Sequence, residues 1–63
     1  MDFQARLDKA LTLAGVSLVE LAGRIGQSPR IVREYVDPPK YRCEQIVRAL
    51  DHVVTVEFLL DKV

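Results

Sequence analysis

Apolar residues recur along most of the chain at three- and four-residue steps, the mark of helices with one buried face, and show no sustained two-residue alternation of the kind a half-buried strand requires. Phe3, Leu7, Ala10, Leu11 and Ala14 form the first stripe. Asp2 is placed to cap its start and Gly15 to take the left-handed conformation past its end, which predicts a helix over 3–14. Ser17-Leu18-Val19-Glu20 then has the form of a capping box, in which the hydroxyl and the carboxylate each satisfy a backbone N–H that a first turn leaves open. Val16 and Leu21 flank it as a hydrophobic staple. Leu18, Leu21, Ala22 and Ile25 share one face of this second helix, and Gly26 stops it after barely two turns.

A third start follows at once. Ser28 suits the N-cap and Pro29 the first helical position, where a missing N–H costs nothing. The expected helix runs over 29–36, because Asp37-Pro38-Pro39 forbids continuation. Val32, Tyr35 and Val36 make its inward face, and Arg30, Arg33, Glu34 and Asp37 fall on the opposite side. Cys43, Ile46, Val47 and Leu50 line a fourth helix over about 41–51. Thr55 caps a last helix whose inward stripe is Val56, Leu59, Leu60 and Val63. Phe58 falls outside that stripe, roughly 160° from its centre. An outward aromatic at the C-terminus of a small domain marks a partner surface, so Phe58 is the dimer-interface candidate. The expectation is an all-α chain, one compact bundle of five short helices over 1–63, without linker or repeat.

Composition narrows what such a bundle does. A chain of 63 residues buries only about 60% of its unfolded surface and needs help to stay folded. The single cysteine, Cys43, excludes an internal disulfide framework and a cysteine-rich zinc site, leaving tight helix packing or self-association. Asp2 and Asp8 carry the wrong sign for a secretory or transit leader, and the longest uncharged run, 10–19, is half a membrane span. A cytoplasmic, reduced protein without membrane contact is the expectation. Cys43 on an apolar stripe reads as a small buried hydrophobe, and His52 near a helix end as a cation favoured by the helix dipole. One cysteine and one histidine cannot build a metal site, no glycine loop cradles phosphate, and a domain this small hardly encloses a catalytic pocket. No enzyme activity, cofactor or small-molecule substrate is expected, nor a cavity of useful size.

The charges are less even than their total. Nine Lys or Arg balance nine Asp or Glu, yet residues 24–48 hold six basic and three acidic side chains, an excess of three positive charges. The second and third helices, short and joined by a tight turn with a polar face on the latter, describe a helix-turn-helix unit that overlaps the start of that segment. Leu18-Val19-Glu20-Leu21-Ala22-Gly23-Arg24-Ile25-Gly26-Gln27-Ser28-Pro29-Arg30-Ile31-Val32-Arg33-Glu34-Tyr35 resembles the helix-turn-helix of the Cro/C1-type, lambda-repressor-like DNA-binding family, with the unit over about 17–36. Ala22 matches the small residue where the helices cross, Gly26 the turn glycine, and Leu21, Ile25, Val32 and Tyr35 the buried positions. Ala49-Leu50, Val54-Thr55-Val56-Glu57 and Leu59-Leu60 are similar to the family's last two helices, so the resemblance covers about residues 3–60.

What the resemblance implies is a sequence-specific regulator of transcription, a small homodimeric repressor-like protein reading a palindromic duplex-DNA operator with helix 29–36 in the major groove. Gln27, Ser28, Arg30, Arg33 and Glu34 are then the base-reading candidates. Lys40, Tyr41 and Arg42 match the loop that grips the phosphate backbone, and the N–H groups near Ser17 offer a further phosphate site. Two positions depart from the family, Gln27 where its turn is apolar and Pro29 where a polar reader is common. With the neutral total charge they motivate the alternative, a helical protein-interaction module that keeps the helix-turn-helix as scaffold without binding DNA.

Overall fold

In the computed structural model, which describes residues 2–62, every regular element is a helix and no strand occurs among the described residues. The order is α1 (Phe3–Ala14), α2 (Leu18–Arg24), α3 (Pro29–Arg33), α4 (Lys40–Ala49) and α5 (Val56–Leu59). The first two begin as the sequence expects. Asp2 accepts from the Ala5 N–H at 2.8 Å, and the left-handed Gly15 closes α1 with its N–H on the carbonyls of Leu11 and Thr12. Ser17 and Glu20 form the full capping box at α2. Gly26, again left-handed, turns the chain toward Ser28, whose hydroxyl accepts from the Ile31 N–H to open α3.

The core is one cluster fed by every helix. Phe3, Leu7, Ala10 and Leu11 enter from α1, Leu21 and Ala22 from α2, Val32 from α3, and Cys43, Ile46 and Val47 from α4. Leu50, Val54 and Leu59 close it from below α4 and from α5. α2 packs against α3 and α4, and α5 packs against α1 and α4. The resulting body measures 27 × 21 × 19 Å. Arg6 is the one buried charged residue among those described, and its Nε donates to the Leu59 carbonyl at 3.2 Å, fastening α5 to α1. Cys43 is fully buried as a small hydrophobe, and burial pushes its thiol above the usual cysteine range against the opposing pull of Arg6. No helix among the described residues is long and apolar enough to cross a membrane.

Four expectations change. α3 ends at Arg33, three residues before the expected 36, and Val36 stands 81% exposed instead of facing inward. The chain tightens there into i−3 bonding, with the Tyr35 N–H on the Val32 carbonyl at 3.2 Å, and Gln4 Nε2 from α1 fastens that turn by donating to the carbonyls of Val32 at 3.0 Å and Tyr35 at 2.8 Å. α4 runs over 40–49 instead of 41–51, since Asp51 and His52 both adopt left-handed backbone and turn the chain away. His52 therefore lies beyond the helix end. Phe58 is half-buried and packs on the core rather than standing outward. α5 is a single turn of four residues set against α1 and α4, so the core reaches Phe58 although it lies off the inward stripe; Val63, the last residue of that expected stripe, lies outside the described residues.

Candidate nucleic-acid interface

α3 is five residues long, and only Val32 of it is buried. A helix so short has no independent stability and is held by its neighbours. On one flank they are polar. Arg33 reaches Asp8 at 2.8 Å and donates to Gln4 Oε1 at 2.9 Å, while the same Gln4 amide closes the helix end. Asp8, Gln4 and Arg33 thus form a brace between α1 and α3. Arg33, a base-reading candidate, is turned to α1 and serves that brace.

The outer face is different. Arg30 extends into solvent with 86% of its side chain exposed, and among the described residues it pairs with Glu34 Oε2 at 3.4 Å, a residue of its own helix turn. An exposed pair of this kind contributes roughly 0–1 kcal/mol, so neither side chain is locked. Ile31 beside them is exposed as well. Gln27 is half-buried before the helix, with its N–H on the Ala22 carbonyl at 2.9 Å, and the Ser28 hydroxyl is occupied by capping. The candidates Arg30 and Glu34 stand together on this face, Gln27 and Ser28 sit at its lip, and Arg33 leaves it.

The loop candidates divide in the same way. Lys40 opens α4, fully in solvent, and has no ion pair among the described residues. Arg42 is half-buried, its guanidinium 5.7 Å from the Tyr35 ring centre and 5.6 Å from that of Tyr41, while it donates to Gln45 Oε1 at 2.6 Å. Cation–π contact with two rings restrains the guanidinium without neutralising it. Tyr35 in turn meets Phe3 edge-to-face at 6.4 Å, and its buried hydroxyl has no hydrogen-bond partner among the described residues. Tyr41 is exposed. Ser17 is less available. Its N–H donates to Glu20 Oε1 at 3.4 Å, and that carboxylate occupies the start of α2 where a phosphate was expected.

Two features escape a reading of the residues alone. Ile31 is one, since lying off the inward step from Val32 to Tyr35 does not by itself mark an apolar residue as exposed. The other is an open concavity of about 330 Å³ between the ends of α2 and α4, lined by Arg24, Ile25, Gln45, Arg48 and Ala49, where no cavity of useful size was expected. Its first arginine has a packing duty, donating to the Ala49 carbonyl at 2.7 Å and lying 3.9 Å from Glu20. No group of three or more His, Cys, Asp or Glu among the described residues is arranged to hold a metal ion. No protein-family model, curated protein or solved structure matches this chain.

Proposed function

We propose that the chain is a sequence-specific duplex-DNA-binding regulator of transcription, in which α2 and α3 act as a helix-turn-helix and the outer face of α3 enters the major groove. The observation that supports it most is the division of labour on α3. One flank is braced to α1 through Arg33, and the opposite face presents Arg30 and Glu34 with no partner from another element among the described residues. A rigid helix with a free polar face is what base readout requires, and an arginine there is suited to bidentate contact with guanine, worth roughly 1–3 kcal/mol of discrimination. Glu34 suits a cytosine amino group. Lys40 and Arg42 would grip phosphate and set register. With zero net charge over the whole chain, affinity rests on few phosphate contacts and on a two-fold dimer reading a palindrome.

The test is selection of bound duplexes from a random library. The expected result is a palindromic consensus with half-sites about one helical turn apart. Arg30→Ala should relax one base position, and Lys40→Ala should weaken every sequence alike and flatten the salt dependence. Sedimentation at the concentrations used for binding checks the dimer. No enrichment at low salt would sink the reading and leave the protein-interaction module in its place.

A further inference from the structure

We infer that Ile31 reads the 5-methyl group of a thymine, an assignment that rests on the duplex-DNA reading above. Successive steps of about 100° along α3 put Arg30, Glu34 and Ile31 in an arc of roughly 100° on the side away from the buried Val32. Ile31 is 40% exposed there, although it is the largest purely apolar side chain of the helix. An isolated surface isoleucine needs no account in itself. This one borders the two side chains that leave the body of the protein, on a helix whose remaining positions are already spent. Ser28 caps, Pro29 fills the first turn, Val32 is in the core and Arg33 is tied to Asp8.

The chemistry of the groove selects the ligand. Along the major-groove edge of duplex DNA the thymine methyl is the one apolar group among donors and acceptors, and apolar side chains are its natural partners. A face made of a guanidinium, a carboxylate and a branched hydrocarbon therefore addresses a mixed site, with a thymine beside the base that Arg30 reads. The branched side chain also loses little rotamer freedom on contact.

The experiment takes the selected consensus duplex and replaces each thymine in turn by deoxyuridine, which deletes the methyl and leaves every hydrogen-bonding group in place. Binding is measured for the parent, Ile31→Val and Ile31→Ala. The expected result is one position per half-site where uracil weakens the parent about fourfold, as burial of a methyl group predicts. Ile31→Val should keep that sensitivity and Ile31→Ala should lose it, both melting close to the parent. A consensus without thymine, a parent indifferent to uracil at every position, or an Ile31→Ala protein as methyl-sensitive as the parent overturns the assignment and leaves DNA binding standing. A library with no enriched sequence overturns both.

Discussion

α1 and α3 are linked side chain to side chain, yet they are fixed by opposite means. α1 has 12 residues, its own caps at both ends and four apolar side chains in the core. α3 has five residues, one buried side chain, and an end closed by a glutamine from α1. The lesson is that burial holds a helix by using up its faces, whereas tethering through a few polar groups holds it and leaves a face unused. That unused face carries Arg30, Ile31 and Glu34.

The sharpest way to break this contrast is Leu7→Ala. Leu7 is fully buried, so the substitution should cost about 3 kcal/mol by chemical denaturation, through lost transfer energy and the cavity left behind. A loss below about 1 kcal/mol would mean that α1 is not the helix held by burial. Gln4→Ala comes next. It removes the donor to the Tyr35 carbonyl and one of the two donors to the Val32 carbonyl, and should cost about 1–2 kcal/mol. Amide exchange should quicken in α3 while α4 keeps its protection, and uniform quickening would refute the tether.

Two smaller effects sharpen the picture. Gly23 lies inside α2, and a Cβ built there meets nothing within 4 Å. Gly23→Ala should therefore raise stability by about 1 kcal/mol, read as a later denaturation midpoint. A lower midpoint would expose a close neighbour at that site. Arg30→Ala should change stability by less than about 0.5 kcal/mol, because its one pair is solvent-exposed. A larger loss would assign Arg30 to the fold and remove it from the reading face.

Legibility follows the distance over which each feature is determined. Both caps of α1 and the box at Ser17 and Glu20 are written within four residues of the ends they serve, and the expected 3–14 is the observed α1. The end of α3 is fastened by Gln4, 28 and 31 positions away, and no local rule reaches that far. The ties of Arg33 are out of local reach for the same reason, since its partners Asp8 and Gln4 lie on another helix. Arg30, Glu34 and Lys40 were placed in solvent by helical spacing and loop position, and the structure has them there. Ile31 carried a signal that went unused, because it falls off the three-residue step from Val32 to Tyr35 that marks the inward side. Phe58 shows the reverse error, since a wheel gives its angle on α5 but not that neighbouring elements pack over it as well.

The brace from Gln4 and Asp8 to α3 has an evolutionary corollary. On the proposed reading, a lineage can retune its operator from residues that never meet DNA, because a change at position 4 or 8 tilts the helix that does. Substitutions in α1 and in α3 should then be epistatic, each tolerated or rejected according to the other. A swap of α3 residues alone into a related scaffold would carry their chemistry without their aim.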